Sequence, residues 1–558
     1  MDNILEKNLE LANLIFPNIT NTIEDLEKRY PKRDLQKGAM VTRFAPSPTG
    51  FLHTGALFTS LINKRIATQS GGVFYLRVED TDKKREVLGS TDIFAMQMKE
   101  FDVSPDEGII SSTEEFGKYG PYMQSKREEI YKTCAKHLIT KGLAYPCFCT
   151  PEQLELIHNS QEKNKQRTGY YSSFARCRNY SVDETIEKIK ANIPYVLRFR
   201  SSGSHLKKIS FVDAIKGKLD IAQNDQDIVI IKSDGLPTYH FAHVVDDHFM
   251  RTTHVIRGEE WIPSTPIHIE LFDKMEFEVP TYAHVPSIMI LDGTSKRKLS
   301  KRKDIEAAVS YFEEAGYLKE ALIEYILTII NSDYEPWRTK NPLANNLEFK
   351  VRLEKINSSG ALFDILKLND ISKELIAKFD SQKLLDNVLE WSKKYDNELY
   401  EILIKDLNYS KNMFAIERDG AKKIRKDIAK FSDIKSNFFY FFDELYNADI
   451  KESGYNFEIG KDTVKKIIEE YIKIYNHNDS KEEWFERMKE LANNLGFCIN
   501  MKEYKLNSEK YEGCISDFAG IIRLAITNRK NTPDIYSIMQ TLGEAKVLER
   551  LNLVLTII

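Results

Sequence analysis

Arg43-Phe44-Ala45-Pro46-Ser47-Pro48-Thr49-Gly50-Phe51-Leu52-His53-Thr54-Gly55 is the stretch on which the fold turns. The apolar run from Met40 to Ala45 predicts a short buried strand, and the Pro/Gly-rich residues after it predict a loop. Leu57, Leu61, Ile62 and Ile66 then recur at helical spacing between Ala56 and Thr68. Gly71-Gly72 ends that helix, and Val73 to Val78 predicts a second strand closing on Glu79-Asp80. Strand, loop, helix and strand within about 40 residues make a βαβ unit, which requires parallel strands. The glycines let a backbone approach a ligand, and the helix start offers free N–H groups to an anion. His53 adds a donor for phosphate oxygens. Taken alone, the motif reads equally well as a strand-to-helix turn with an incidental histidine.

A second segment reinforces the first. Lys296 to Lys303 carries six Lys or Arg in eight positions, broken by Leu299 and Ser300. In isolation it is a solvated charge run. Placed after the turn Leu291-Asp292-Gly293-Thr294, it suits charge developing on a transferring phosphoryl group.

The remaining chain sets the frame. Its 558 residues suggest about three to five domains. With 42% hydrophobic and 29% charged residues it reads as globular rather than disordered. A net charge of −4 gives no global nucleic-acid signal, although phosphates are bound by local patches. Six cysteines are too few for a disulfide scaffold, so reduced thiols are expected. No apolar run approaches a membrane span. The polar start, with Asp2 and Glu6, is unlike a secretory signal, and a cytoplasmic monomer is expected. Leu5, Leu9, Ala12 and Phe16, interrupted by Pro17 and resumed by Ile23 and Leu26, predict a helical N-terminal extension over 1–38 packed on the next domain. Residues 121–232, with a basic, tyrosine-containing stretch and four of the six cysteines, read as an insertion. Ile228 to Ile231, Pro237 to His248 and Val255 to Arg257 are expected to complete the parallel sheet. Beyond about residue 305 the pattern is helical.

With both segments in hand, the chain resembles the glutamyl branch of the class I aminoacyl-tRNA synthetases. Arg43 to Gly50 with His53-Thr54-Gly55 is similar to the first signature of that class, and Lys298 to Arg302 to the second. Arg77 to Asp82, Lys232 to His240, Val245 to His248, Arg257 to Trp261 and Ser264 to Pro266 match further stretches in family order. A weaker similarity, Ile521 to Thr527 and Leu542 to Lys546, lies near the end. The resemblance implies an α/β, Rossmann-type parallel-sheet catalytic domain with an inserted acceptor-binding domain, followed by all-helical anticodon-binding domains. The corresponding division is 1–38 extension, 39–120 and 233–272 catalytic halves, 121–232 insert, 273–374 stem-contact domain and 375–558 anticodon-binding region. Residues 1–38 have no counterpart in the usual bacterial form.

The implied reaction joins L-glutamate to ATP as an adenylate, with Mg²⁺, and then transfers glutamate to the 3′ end of tRNA(Glu), with tRNA(Gln) open as a second acceptor. No strong base is needed, because the attacking carboxylate is already an anion; positioning and charge stabilisation suffice. His53 and Lys301 are the implied catalytic residues. ATP contacts fall on Pro46, Thr49, Gly50, His53 and Gly55 from the first segment. Glu260, Leu291, Lys298, Ser300 and Lys301 supply the others. Arg43, Ala45, Ser47, Glu79, Tyr239, His243 and Arg257 would hold glutamate, the arginines on carboxylates and Glu79 on the ammonium. His243 departs from the family, which often has Asn there. His240, His243, His248, Asp246 and Asp247 are assigned to substrate binding and packing rather than to a metal. Cys147, Cys149 and Cys177 resemble a zinc site found in some relatives, with Asn179 where a histidine is expected; Tyr171, Tyr180 or His158 are alternatives for the fourth ligand, and metal-free thiols are the other reading. Lys422, Lys423, Arg425, Lys426 and Lys430 read either as a solvated helix face or as a tRNA phosphate contact. Two rivals stand beside this reading: a glutaminyl synthetase, disfavoured by Ser47 between the prolines, and a catalytically silent tRNA-binding paralogue.

Overall fold

The computed structural model describes every residue except Met1, Thr49, Phe51, residues 83–86, Lys301, Arg302 and Ser359. It divides into two compact units, 1–311 with 323–364, and 312–322 with 365–558.

In the larger unit, helices α1 (Asp2–Ile15) and α2 (Ile23–Arg29) precede strand β1 (Val41–Phe44). Helix α3 (Thr54–Gln69) crosses to β2 (Val73–Leu76), and α4 (Ser90–Glu100) to β3 (Glu107–Ile109) and β4 (Glu115–Phe116). The sheet order is β1-β2-β3-β4, with the first three parallel and β4 antiparallel. The βαβ reading therefore holds. Gly72 makes the return from α3 possible, because a Cβ there would meet the Met40 carbonyl oxygen at 1.9 Å. On the other side of β1 lie two further parallel strands, β10 (His254–Gly258) and β11 (Thr281–Val285). Thr253 N donates to Val41 O at 3.0 Å and ties them to β1.

Between these halves stand helix α5 (Glu128–Thr140), β5 (Ala144–Cys147), α6 (Pro151–Lys163), α7 (Val182–Lys190), β6 (Val196–Phe199), the hairpin β7 (Lys208–Asp213) and β8 (Gly217–Ala222), and β9 (Val229–Ile231). Strand β9 pairs with β6 in a separate antiparallel β5-β6-β9 sheet. The expectation that Ile228 to Ile231 completes the parallel sheet is thus corrected: the apolar run signalled a strand, and nothing in it specified the partner. Helices α8 (Tyr239–Phe249) and α9 (Thr265–Lys274) flank β10, and β12 (Ile288–Asp292) and β13 (Ser295–Lys298) form a hairpin after β11.

The extension buries Ala12, Phe16 and Leu26 as its periodicity suggested, but not the two leucines of its first turns. Leu11 and Ala12 are buried, whereas Leu5 and Leu9 are about half exposed, at 55% and 46%. Helix α1 packs on α5 and α7, inside the stretch read as an insertion. Farther on, Arg33 pairs bidentately with Glu107 at 2.9 and 3.0 Å, and Glu27 meets His248 at 2.6 Å. The extension thus reaches both the insert and the sheet.

The smaller unit is helical, with two short parallel strands at Phe497–Cys498 and Gly513–Cys514. It parts from the larger unit at residues 364 and 365, and residues 312–322 belong to it. The basic cluster at 422–430 lies outside any helix. Arg425 pairs with Asp427, Lys426 with Glu374 and Lys430 with Asp433. All six cysteines are free thiols. Among the described residues, no helix is long and apolar enough to cross a membrane.

Candidate active site

A cleft of about 1310 Å³ opens where β1, β10, the start of α3 and the β12–β13 hairpin converge. Its position is the one expected of a parallel α/β sheet, outside the carboxyl ends of the strands. Arg43, Ala45, Ser47, His53, Gly55, Glu79, Tyr239, Arg257, Glu260 and Lys298 all line it. Pro46, Gly50, Leu291, Ser300 and His243 lie outside that lining, and Leu291 is 55% exposed. Thr49 and Lys301 fall outside the described residues.

His53 caps α3: its Nδ1 accepts the Gly55 N–H at 2.8 Å. On a neutral ring that bond places the proton on Nε2. The space is tight, since a Cβ on Gly55 would stand 3.1 Å from Nδ1. Across the cleft, Lys298 Nζ sits 3.4 Å from Glu260 Oε1. Gly258 makes room for that carboxylate, which a Cβ would approach to 2.3 Å. Arg297, by contrast, belongs to the loop itself. It donates to Asp292 at 2.7 Å and forks onto Asp304 with two bonds of 2.7 Å. Asp304 also accepts from Ser300 N at 2.8 Å, and the Arg297 guanidinium holds its carboxyl down to about 2. Within the charge run, Arg297 is therefore a structural cation and Lys298 one that lines the cleft, a distinction its composition concealed.

Beneath the cleft lies a buried charge lattice. Arg77 reaches Asp247 at 2.7 Å and Glu79 at 3.0 Å, Arg127 reaches Asp246 at 2.6 Å, and Arg43 reaches Asp247 at 3.3 Å. Tyr131 and Gln124 also donate to Asp246, both at 2.8 Å. Three guanidinium groups face three carboxylates, so buried charge is compensated. Asp246 and Asp247 accordingly anchor arginines. Burial raises the Glu79 carboxyl, against the opposing Arg77.

Arg257 differs from these three. Among the described residues it has no carboxylate partner. Nε–H donates to His284 Nε2 at 3.0 Å, Nη1 to His268 Nδ1 at 3.2 Å and Nη2 to Thr265 Oγ1 at 3.0 Å. Its remaining contacts, to Tyr239 Oη and Trp261 O, are long at 3.4 Å each, and both residues line the cleft. An uncompensated, 5% exposed guanidinium with its loosest donors toward a cleft has the chemistry to take an anion. His243 stands behind Tyr239, fully buried, with Nε2 3.2 Å from Tyr282 Oη. Burial and the nearby arginines push its pKa well below the ordinary value. Sequence reasoning missed His268, His284, Asp213 and Arg127. A histidine inside the apolar strand Tyr282 to Val285 was a signal, but its partner came from a distant hairpin.

The chain matches the family described as class I tRNA synthetases (E and Q), catalytic domain, over residues 39–369, and an anticodon-binding domain over 383–555. It is 51% identical to a glutamate–tRNA ligase of Clostridium perfringens strain 13, over 97% of this chain and 99% of that protein. The chain belongs to the glutamate–tRNA ligase family of class I synthetases. A second member, from Acetivibrio thermocellus, is 42% identical over 97% of this chain and 99% of its own length. A crystal structure of a glutamate–tRNA ligase from Elizabethkingia meningosepticum, in complex with its amino acid, superposes with a TM-score of 0.71 at 26% identity, covering 93% of this chain and 99% of that one. An alignment over 97% of the chain leaves too little outside it to exclude all of residues 1–38, so the Clostridium relative shares part of the extension.

A second site of this synthetase lies in the insert. The Sγ atoms of Cys147, Cys149 and Cys177 lie within 4.8 Å of one another, the one such cluster among the described residues. Cys149 and Cys177 are 3.6 Å apart, close to the roughly 3.8 Å edge of a tetrahedral zinc–thiolate site. Of the alternatives for a fourth ligand, Tyr171 and His158 are engaged elsewhere, while Tyr180 stands near the three thiols. Tyr171 donates to Arg167 O at 2.7 Å, Tyr180 packs on Phe148, and His158 is exposed beside Glu162. The group at the sulfurs is Tyr170, whose hydroxyl lies 3.4 Å from Cys147 and 3.3 Å from Cys149. Hydrogen bonding from Cys177 and Tyr170 favours the thiolate at Cys147.

Proposed function

We propose that this chain activates L-glutamate with ATP and Mg²⁺ and transfers it to tRNA(Glu). The observation that carries the reading is the uncompensated Arg257 guanidinium facing a cleft that also holds Glu79, His53 and Lys298. Arg257 takes the side-chain carboxylate of glutamate, Arg43 assists on a carboxylate, and Glu79 accepts from the ammonium. Ser47 and Tyr239 add hydrogen bonds. An oxygen of the α-carboxylate attacks the α-phosphorus of ATP, the bond to the β,γ-phosphates breaks, and pyrophosphate leaves. His53 Nε2–H, Lys298 and Lys301 stabilise the charge that spreads over the phosphate oxygens. The terminal ribose hydroxyl of tRNA then attacks the carbonyl carbon and AMP departs, its phosphate able to take the hydroxyl proton. Residues 121–232 would receive the acceptor end, 273–374 the stem, and 375–558 the anticodon.

ATP–pyrophosphate exchange and charging, with glutamate and glutamine and with tRNA(Glu) and tRNA(Gln), tests this. The expected result is glutamate-dependent exchange and charging of tRNA(Glu); exchange with glutamine alone would overturn it. Charging of tRNA(Gln) in the same assay decides whether one acceptor or two are served.

For the insert, the reading is zinc held by Cys147, Cys149 and Cys177 with the Tyr170 hydroxyl as fourth ligand, a structural role that cross-links β5 to the segment after α6. Elemental analysis should find one zinc per chain, and Tyr170→Phe should release it to a chelator more readily. Protein purified without chelators and free of zinc would contradict this.

A further inference from the structure

Arg257 must point one way with a full charge, and the surrounding side chains manage both. We propose that Asp213, His284 and His268 form a positioning relay that fixes the Arg257 guanidinium without neutralising it; the inference rests on Arg257 binding the side-chain carboxylate of glutamate. The hydrogen bonds define every proton. Arg257 Nε–H needs an acceptor, so His284 Nε2, at 3.0 Å, is unprotonated. The ring proton therefore sits on Nδ1, which donates to Asp213 Oδ2 at 2.6 Å. On the other side His268 Nδ1 accepts from Nη1 at 3.2 Å, so its proton is on Nε2 and is donated to His240 Nδ1 at 3.0 Å.

Burial makes these assignments binding. Asp213 is 1% exposed, His284 and His268 are 0%, and Arg257 is 5%. Burial holds both imidazoles below the ordinary histidine pKa, although Asp213 opposes this at His284. Asp213 is itself rigid: it accepts from the backbone N–H of His284, Ile215 and Lys216 at 3.1, 3.0 and 2.9 Å. A carboxylate placed directly on Arg257 would orient it equally well, but would cancel its charge and compete with the substrate. A neutral imidazole backed by that carboxylate orients and leaves the charge for the ligand, as outer partners do around metal-bound histidines. The carboxylate comes from the end of β7, so the hairpin of the insert contributes to the amino-acid pocket of the sheet. Ala214 N, donating to Tyr282 O at 2.8 Å, locks the hairpin there.

The test is ATP–pyrophosphate exchange by Asp213→Asn, His284→Gln and Arg257→Gln, reading KM for glutamate, KM for ATP, kcat and the unfolding temperature. Asp213→Asn should raise KM for glutamate about tenfold, the scale of one hydrogen bond to a charged group, with KM for ATP unchanged. His284→Gln, whose amide oxygen can take the Nε–H, should retain more glutamate affinity than His284→Leu. If Asp213→Asn does not fold, His268→Leu gives the same readout and leaves no buried carboxylate unpaired. Equal rises in both KM values, or a lower unfolding temperature with unchanged KM for glutamate, would overturn the relay. Arg257→Gln separates the two readings. If it leaves KM for glutamate unchanged, the assignment of Arg257 fails; if it raises KM while Asp213→Asn and His284→Gln do not, the relay alone fails.

Discussion

Arg257 and Glu79 bring opposite charges to one cleft, a pair that suits an ammonium and an acidic side chain on the same substrate. Replacing Arg257 by Gln removes the cation and should raise KM for glutamate by at least about tenfold, measured by exchange at saturating ATP. Glu79 makes a pH prediction. Its ionised form is the one that holds an ammonium, and burial raises its pKa above the ordinary 4.5. Glutamate binding should therefore fail as pH falls through a value above 4.5, and Glu79→Gln should lose that acid limb along with most activity. A limb that persists in Glu79→Gln would count against the assignment. The charged residues of the pocket were legible from sequence because the motifs quote them. Their supports were not: Asp213, His268 and His284 belong to three separate elements, and only folding brings them to Arg257. Tyr170 illustrates the same limit: the sequence reading offered Tyr171, Tyr180 or His158, and only the fold brings the Tyr170 hydroxyl to the sulfurs.

At the scale of elements, the βαβ unit was readable because its periodicities switch cleanly and glycines mark its corners. Gly72→Ala would force a Cβ against the Met40 carbonyl at 1.9 Å. The expected cost is about 2–3 kcal/mol from backbone displacement, seen as a lower denaturation midpoint of the larger unit; an unchanged midpoint would show that the turn can relax. Strand β9 was legible as a strand but not as a partner of β6, since an apolar run states burial and not pairing. The hairpin β12–β13 divides its cations by partner: Arg297 is spent on Asp292 and Asp304, while Lys298 faces the cleft. Lys301→Ala should lower the rate of adenylate formation from glutamate and ATP by at least about tenfold with little change in unfolding. A variant with normal exchange would remove Lys301 from the chemistry.

Across the whole molecule, histidines tie stability to pH in the larger unit. His137, His240, His243, His248, His254, His268 and His284 all have pKa values lowered chiefly by burial. The unfolded chain binds protons at these sites near 6.5, whereas the folded chain refuses them. Their stabilisation is therefore full above pH 6.5 and is lost as pH falls below it. The loss should be steepest for the fully buried sites, such as His243 and His268. Thermal unfolding at pH 7.5 and 5.5 should show a marked loss for the larger unit; equal midpoints would refute the neutral assignment of the cluster. The division into units was only partly legible, because residues 312–322 leave the chain order to join the helical unit.

In the proposed reaction, an uncompensated Arg257 selects the charged side chain of glutamate over its neutral amide. The most direct measurement is the ratio of kcat/KM for glutamate to that for glutamine in ATP–pyrophosphate exchange, in the unmodified chain and in Arg257→Gln. The account predicts a strong preference for glutamate that collapses in the variant; an unaltered ratio in Arg257→Gln would contradict it.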